Sequence, residues 1–342
     1  MALAGTEEPG YVSGTTPVLY LSLFAMCCLG FVASLVTGPA AIAPVDALAA
    51  LFADSGGPET DIMRDIRLPR AILGAMVGAS LGLTGAAMQG LLRNPLAEPG
   101  LIGVSSFAAL GAVISLQTGL AAAFTLALPL AALAGAGISV GLLVLLAGPR
   151  GSSLTLILAG IAISALGGAL TTLVLNLSPN PFAASEIVFW MMGSLADRSW
   201  THVYLALPLM ALGWVALFAT ARGLDALTLG EDAAASLGIH LVRLRVLVVL
   251  GTAAAIGAST AVTGAIGFVG LVVPHILRQF VGASPGKLLP ASALGGAAMV
   301  LLADASVELI LPERDLKLGV LTALIGAPVF LHLVYRTRRA GL

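Results

Sequence analysis

Residues 67–106 decide the fold, and they read RLPRAILGAMVGASLGLTGAAMQGLLRNPLAEPGLIGVSS. Two arginines and a proline open the stretch, and an apolar run from Ala71 to Leu92 follows. Gln89 is the only side chain in this run that is more polar than serine or threonine. As a helix the run would be about 33 Å long, enough to cross a bilayer core of about 30 Å. The stretch therefore predicts a membrane-spanning helix.

Glycines in this span indicate close packing against another helix. Gly74, Gly78 and Gly82 recur every four residues, so they lie on one helix face. A stripe of small residues lets a second backbone approach closely, which is how helices associate in lipid. The stripe alone is compatible with any tightly packed membrane bundle. The polar turn that follows, RNPLAEPG, contains two prolines and marks a membrane surface.

The composition is that of a polytopic membrane protein. The chain has 342 residues, of which 58% are hydrophobic and 10% are charged, with a mean hydropathy of +1.04. A soluble domain carries about 25% charged residues. The net charge of −1 gives no reason to expect nucleic acid as a partner. We expect an all-α protein with a single transmembrane domain, residues 1–342, embedded in the lipid bilayer.

Apolar runs separated by polar turns predict about ten membrane spans. Residues 38–66 contain three prolines and several acids and are expected to form a loop. The long loop at 177–201 favours a short helix in its middle that lies at the interface, because Trp190 and Trp200 are typical interface anchors. The predicted spans are 18–37, 67–92, 100–117, 121–147, 154–176, 202–220, 246–263, 265–281, 288–306 and 318–335.

The distribution of basic residues favours a multi-pass protein with both termini in the cytoplasm. In that orientation ten of the 16 Lys and Arg residues lie on the cytoplasmic side and six on the outer side. An excess of these residues marks cytoplasmic loops. The six outer cations cluster in three loops, which suggests that they have a function of their own.

Motifs for catalysis or nucleotide binding are missing from the sequence. There is no HExxH motif. GASLG at 78–82 matches the GxSxG nucleophile elbow only formally, because that elbow requires a strand-to-helix turn. GASPGKL at 282–288 is one residue too short for a phosphate loop and lacks its hydroxyl. The four histidines lie on separate segments, so we predict no metal site, no cofactor on this chain and no enzyme activity. Any use of ATP must come from a partner chain.

Residues 221–243, ARGLDALTLGEDAAASLGIHLVR, form the most polar stretch in the second half of the chain. They predict a short helix from Glu231 to Leu237. Gly230 precedes it, two acids lie in its first turn, and Gly238 can end it in the left-handed conformation. A chain needs only a handful of residues to turn back into the membrane. A capped helix in a segment of 23 residues therefore indicates a contact surface, and an ordinary interfacial loop is the alternative.

The chain resembles the FecCD-type permeases, the membrane subunits of type II ABC importers for iron chelates, haem and vitamin B12. The resemblance covers nearly the whole chain from Arg67 and rests on several blocks in the family's order. They are the opening block at 67–106, FWMMGSL at 189–195, LTLGEDAAASLGI at 227–239, GAIGFVGLVVPHILRQFVG at 264–282 and GVLTALIGAPVFLHLV at 319–334.

The resemblance implies an alternating-access bundle of about twenty helices in a homodimer, with the substrate path between the two copies. A periplasmic binding protein would deliver substrate from outside. Two ATP-binding subunits would bind on the cytoplasmic side and carry the ATP and Mg²⁺. The location implied is the bacterial inner (plasma) membrane.

The resemblance also implies roles for particular residues. In the family a motif close to LGE-x-A-x-x-LG docks in a groove of the ATPase subunit, and arginines at the outer start of span two often grip acids of the binding protein. Anchoring at lipid headgroups is the alternative role for these arginines. This chain has Glu308 where relatives tend to carry arginine, and Arg314 could replace that arginine. The implied coupling residues are Leu229, Gly230, Glu231, Asp232, Ala234, Leu237 and Gly238, and the implied docking residues are Arg67, Arg70 and Arg314.

The translocation path is expected to have small and apolar walls, because a large chelate must slide without sticking. A pair of methionines is also compatible with ordinary packing. We rank an iron complex, haem or ferric siderophore, first as the cargo and cobalamin second, since His202 and the methionines near the outer face allow haem. The predicted wall residues are Ser105, Ser106, Phe107, Phe189, Met191 and Met192.

Two other classes of protein fit the sequence less well. A stand-alone ion-coupled transporter usually needs acids buried in mid-membrane. Here Asp304 and Glu308 are expected near the end of a span, and the other acids in loops or turns. An intramembrane enzyme would need a catalytic motif, which the sequence lacks.

Overall fold

Helices make up all the regular secondary structure in the part of the chain that the structure describes. A computed structural model describes residues 15–40, 42–52, 57–124, 126–148, 151, 153–178, 181–282, 284–310 and 316–339. A π-helical turn at Ile62–Arg67 leads into α4, and a 3-10 turn at Pro99–Ile102 leads into α5. The α-helices in these ranges are α1 (Thr15–Val36), α2 (Pro44–Phe52), α3 (Pro58–Asp61), α4 (Leu68–Leu92), α5 (Val104–Gln117), α6 (Leu120–Ala123), α7 (Ala127–Ala147), α8 (Ser153–Asn176), α9 (Pro181–Met191), α10 (Trp200–Phe218), α11 (Ala221–Leu227), α12 (Glu231–Ser236), α13 (Leu241–Thr263), α14 (Val269–Arg278), α15 (Pro285–Ile310) and α16 (Leu318–Arg339).

The ten predicted spans correspond to ten helices of the structure. Seven of them are long and apolar enough to cross a membrane, namely α1, α4, α7, α8, α10, α13 and α15. Three shorter apolar helices, α5, α14 and α16, complete the set. The all-α, polytopic membrane fold predicted from the sequence is therefore confirmed. We call the end of the bundle where α1 and α15 begin the inner end, and the opposite end the outer end.

Three helices are shorter than the spans predicted for them. α5 begins only at Val104, because Gly103 adopts a left-handed conformation, with φ of 77°, that separates it from the 3-10 turn. α7 is preceded by the separate turn of α6. α14 has ten residues, about 15 Å of helix, and covers half of a bilayer core. Phe268, just before α14, packs at Gly326, which lies eight residues, or about 12 Å, into α16. The N-terminus of α14 is therefore deep inside the bundle.

Two segments predicted as loops contain helices. The short helix expected within 177–201 is confirmed as α9. The expectation that residues 38–66 form a loop was wrong, because Pro44 and Pro58 each begin a helix. Proline is favourable at the first position of a helix, since the backbone N–H that it lacks would have no partner within the helix there. α2 and the π-helical turn bury Ala47, Ala50 and Met63 in a small core of their own.

The glycine stripe of α4 meets α15 at the centre of the bundle. A Cβ atom on Gly82 would collide with the carbonyl group of Ser292, and one on Gly78 would collide with that of Gly296. The two backbones are thus in direct contact along the predicted face. Because α4 is buried on nearly all sides from Leu73 to Leu91, it is the central helix around which the others pack.

Candidate coupling surface and translocation groove

The segment at 221–243, here called the coupling segment, lies at the inner end and contains two short helices. The predicted capped helix is confirmed as α12, with positive φ angles of 104° at Gly230 and 83° at Gly238 on either side of it. Leu229 and Leu237 are exposed, at 68% and 64% of their surface, whereas Ala234 is fully buried. Two apolar side chains therefore project from a helix that is fixed to the bundle, which is the form of a docking surface.

Contacts on both sides of α12 hold the coupling segment in place. The Glu231 carboxylate accepts a hydrogen bond from the Arg245 guanidinium at 2.8 Å, which ties the first turn of α12 to α13. α11 buries Leu224 and Leu227 against the bundle. The segment is thus attached to the spans through α11 and through α13.

Asp225 makes a second attachment that the sequence reasoning missed. Its Oδ1 atom accepts hydrogen bonds from the Ser284 hydroxyl at 3.0 Å and from the Gly286 backbone N–H at 2.8 Å. These groups form the N-terminus of α15, so a carboxylate from α11 caps a membrane-spanning helix from outside it. Ser284 followed by Pro285 is a recognisable helix start in the sequence. Nothing in the sequence, however, pairs Ser284 with an acid 59 residues earlier.

At the outer end, the two arginines that were predicted to dock a binding protein have internal partners. Arg67 is 4% exposed, and its guanidinium donates to the backbone carbonyl groups of Leu35, Val36 and Ala40 at 3.0, 3.1 and 2.6 Å. This geometry fits a helix-end clamp that joins α1 to the start of α4. It leaves Arg67 without the exposed guanidinium that its predicted docking role requires.

Arg70 lies in a buried ionic cluster. Its guanidinium donates to Asp304 at 2.7 Å and to Glu308 at 2.6 Å, and Ser34 donates to Asp304 at 2.9 Å. Glu308 thus supplies the second carboxylate that holds Arg70. The cluster joins α1, α4 and α15. Arg314, the third predicted docking residue, lies outside the described residues.

The predicted path residues divide into two groups in the structure. Met191 and Met192 line a groove of about 610 Å³ together with apolar residues of α16 such as Ala323 and Leu324. Phe189, which lies on α9 with Met191, is 55% exposed, and the Lys317 ammonium lies 5.8 Å from its ring centre. We call this feature the α9–α16 groove.

The other predicted wall residues, on α5, pack against neighbouring helices. Ser105 and Ser106 are half-buried, and Ser106 and Phe107 lie against Gly167 of α8. Phe107 is 5% exposed, so it is part of the core and its assignment to an open path wall is not supported.

Glu98 is a carboxylate that lies deeper in the bundle than the sequence reasoning allowed. Its Oε1 atom accepts a hydrogen bond of 3.0 Å from the backbone N–H of Phe268, at the N-terminus of the half-length helix α14. Asp304 is also buried, at 3% exposure. Both acids lie at the expected places along the chain, Glu98 in the turn after α4 and Asp304 near the end of α15, but the turn that carries Glu98 reaches into the bundle. Each acid has a hydrogen-bond donor: the Phe268 N–H donates to Glu98 at the N-terminus of α14, and Arg70 donates to Asp304 in the ionic cluster.

Comparison with known proteins identifies the family to which this chain belongs. The family model described as the FecCD transport family matches residues 26–336. The chain is 40% identical over 323 residues to the vitamin B12 import system permease protein BtuC of Salmonella typhi, covering 93% of this chain and 95% of that one. It is 40% identical over 289 residues to the uncharacterized ABC transporter permease protein YvrB of Bacillus subtilis, covering 82% of this chain and 81% of that one.

A solved structure has the same fold. It is described as an inward-facing conformation of a metal-chelate type ABC transporter, and it is 33% identical, with a TM-score of 0.82. The match covers 94% of this chain and 99% of that one. Together with the ten apolar helices, these matches show that the chain is a membrane-embedded ABC importer permease and belongs to the FecCD transport family.

Proposed function

We propose that this permease moves a bulky metal chelate, with an iron complex such as haem or a ferric siderophore ranked first, across the bacterial inner membrane. It works as a homodimer, with the path between the two copies and both termini in the cytoplasm. Two partner subunits bind ATP and Mg²⁺ and hydrolyse the ATP, and a periplasmic binding protein delivers the cargo. The observation that carries this proposal is the coupling segment, an exposed apolar surface attached to two spans.

The coupling segment supplies a mechanical route from the ATPase subunits to the membrane. Its docking residues are those of the family motif, and Leu229 and Leu237 are the exposed apolar contacts. A push on α12 reaches α13 through the Glu231–Arg245 ion pair and α15 through Asp225. Because α15 packs backbone to backbone on α4, the displacement would pass to the centre of the bundle. The residues proposed to dock the ATPase are Leu229, Gly230, Glu231, Asp232, Ala234, Leu237 and Gly238.

The α9–α16 groove is the proposed wall of the cargo path. Its described lining is apolar, with Met191 and Met192 at one side and Leu324 and Leu331 at the other. An apolar wall recognises a large ligand by shape and offers no fixed charge to hold it. Phe189, Ser105 and Ser106 remain proposed wall residues because part of each surface is exposed.

Cobalamin is the second candidate cargo. The observation that favours it is the 40% identity over 93% of this chain to a vitamin B12 import permease. The apolar lining of the α9–α16 groove does not distinguish the two cargoes.

Of the three arginines predicted to dock the binding protein, Arg67 and Arg70 have internal partners. Arg67 is enclosed by carbonyl groups, and Arg70 is held by two acids. A surface guanidinium speeds association and orients partners only when it is free to reach them. Arg314 therefore remains the proposed docking cation, together with the exposed surface of α2 and α3.

The test is reconstitution of the full transporter with its ATPase subunits in proteoliposomes. ATP hydrolysis and uptake are measured with haem, a ferric siderophore or cobalamin loaded on the matching binding protein. Stimulation by haem or siderophore supports the first proposal, and stimulation by cobalamin alone supports the second. Uptake by the purified chain without the ATPase, driven by an ion gradient, would contradict both.

A further inference from the structure

A second pocket lies at the outer end, away from the α9–α16 groove. It has a volume of about 520 Å³ and is bounded by α6, the starts of α7 and α10, and the end of α13. Unlike the α9–α16 groove, its lining is both polar and apolar. We call it the outer pocket, and its principal side chains are Phe124, Glu186, Trp190, Arg198 and His202.

Arg198 enters this pocket without an internal partner. Its Nε atom is buried and makes no hydrogen bond, and no ion pair to its guanidinium is found among the described residues. Burial lowers the pKa of Arg198, and the neighbouring Asp197 opposes that shift only through its charge. Arg198 is half-buried and lines the pocket, so its guanidinium is partly removed from water while its Nε–H has no acceptor. The fold therefore leaves a site here that an anion would stabilise.

The backbone just before Arg198 is anchored to the bundle, which fixes the point from which the Arg198 side chain extends into the pocket. Ser194 donates its backbone N–H to Thr263 at 2.8 Å, and its hydroxyl accepts the N–H of Ala196 at 3.1 Å. Leu195 is buried against α4 at 1% exposure. Asp197 adopts a left-handed conformation, with φ of 56°, directly before Arg198. An aspartate tolerates this conformation better than most residues.

His202 adds a second donor to the same pocket. The Ser199 backbone N–H donates to its Nδ1 atom at 3.3 Å, so in the neutral ring the proton lies on Nε2. That N–H has no acceptor among the described residues. The outer pocket thus combines two sets of donors, from Arg198 and His202, with a single carboxylate among its described lining residues, the exposed Glu186.

The surroundings of the pocket indicate where its ligand comes from. Phe124 and Leu120 are 52% and 49% exposed next to the opening. Trp200 stacks on Tyr204 with ring centres 5.7 Å apart at the outer start of α10. Aromatic residues of this kind gather where the bilayer meets water. The opening therefore lies at the depth of lipid headgroups.

We propose that the outer pocket binds a phosphate oxyanion, through the Arg198 guanidinium and the His202 Nε2–H. Guanidinium and phosphate match in geometry and charge, and the pair is strengthened in a partly dry site. The headgroup of an outer-leaflet phospholipid is one source of this anion, and free phosphate is the other. Either ligand would stabilise the outer ends of α9, α10 and α13.

The test is ligand binding to the purified, delipidated full chain in detergent, followed by native mass spectrometry. One arm titrates phosphatidylglycerol, and the other titrates inorganic phosphate. The R198Q variant should bind the ligand that the wild type binds about tenfold more weakly, equivalent to about 1.4 kcal/mol. The matched control is R222Q, which removes an exposed arginine at the inner end and should change binding less than twofold. Binding of the lipid alone assigns a headgroup, and binding of both assigns a general phosphate site.

Two further variants separate the proposal from a simple loss of folding. R198K keeps the charge but loses the planar pair of donors, so its affinity should lie between those of the wild type and R198Q. E186Q should tighten binding, because a competing carboxylate at the rim is removed. Equal binding by the wild type, R198Q and R222Q would overturn the proposal. So would a loss of thermal stability in E186Q with no change in binding, because Glu186 would then be the real partner of Arg198.

Discussion

The Asp225 carboxylate accepts a hydrogen bond of 2.8 Å from the backbone N–H of Gly286, and this bond joins the coupling segment to the membrane-spanning helix α15. The contact is close, because a Cβ atom on Gly286 would collide with the carboxylate. α15 therefore cannot shift along its axis without moving α11 or losing its cap. This relationship makes Asp225 a positioning residue between the proposed ATPase-docking surface and the membrane-spanning helices.

Replacement of Asp225 by alanine should lower the amount of cargo transported per ATP. The variant loses the cap, at a cost of about 1 kcal/mol, and with it the tie between α11 and α15. Transport and ATP hydrolysis are measured together in proteoliposomes that contain the whole complex, and the ratio should fall severalfold while hydrolysis continues. Asp225→Asn keeps the Oδ1 acceptor and should stay near the wild-type ratio. An unchanged ratio in Asp225→Ala would remove this residue from the proposed route.

The Glu231→Lys exchange should uncouple ATP hydrolysis from transport. It places a cation beside Arg245 and removes an acid from the docking surface. Glu231 is 37% exposed, so the ion pair contributes about 0.2–1 kcal/mol and the fold should survive. The control is the charge swap Glu231→Arg with Arg245→Glu, which restores the internal pair but not the surface charge. We expect the swap to stay uncoupled, and full recovery would give Glu231 a purely internal role.

Removal of Arg70 should destabilise the protein by about 3–5 kcal/mol, because Asp304 is left buried without its cation. Unfolding by heat in detergent, followed by helical circular dichroism, measures the change. Glu308→Gln is the milder control, since a neutral amide still accepts a hydrogen bond from Arg70 and the loss should be about 1 kcal/mol. Equal midpoints for Arg70→Ala and the wild type would mean that the cluster does not stabilise the fold. Because Arg70→Ala should lower stability, its binding to the binding protein must be compared with that of the wild type at equal concentrations of folded protein.

Substitution of Gly82 by alanine should prevent close contact between α4 and α15. The added methyl group meets the Ser292 carbonyl, so the helices must separate and stability should fall by about 1–3 kcal/mol. Gly137→Ala on α7 is the matched control, because nothing lies within 4 Å of its Cβ position. That variant should be neutral or more stable by up to about 1 kcal/mol. Similar midpoints for the two variants would show that the glycine stripe is not a packing surface.

The local sequence pattern was sufficient to predict the membrane fold, the ten spans and the capped helix α12. Each of these depends on residues close in sequence: an apolar run, a glycine after a helix, an acid in the first turn. The segment at 38–66 was misjudged because its prolines were read as loop signals, although Pro44 and Pro58 occupy the first turns of helices. The burial of Phe107, which is 5% exposed, was not predictable because a run that is apolar on all sides does not show which face meets a cavity.

The sequence by itself determined that this chain spans a membrane and carries a short capped helix between two spans, because these properties arise from composition and short-range order, and its motifs gave the family by resemblance. Only the tertiary structure decided which distant groups meet. Asp225 caps α15, Glu98 caps α14, Arg70 meets Glu308, and Arg198 is left facing a pocket. The physical reason is that hydrogen bonds and ion pairs depend on positions in space to within an ångström, whereas a one-dimensional pattern carries no distance between helices far apart in the chain.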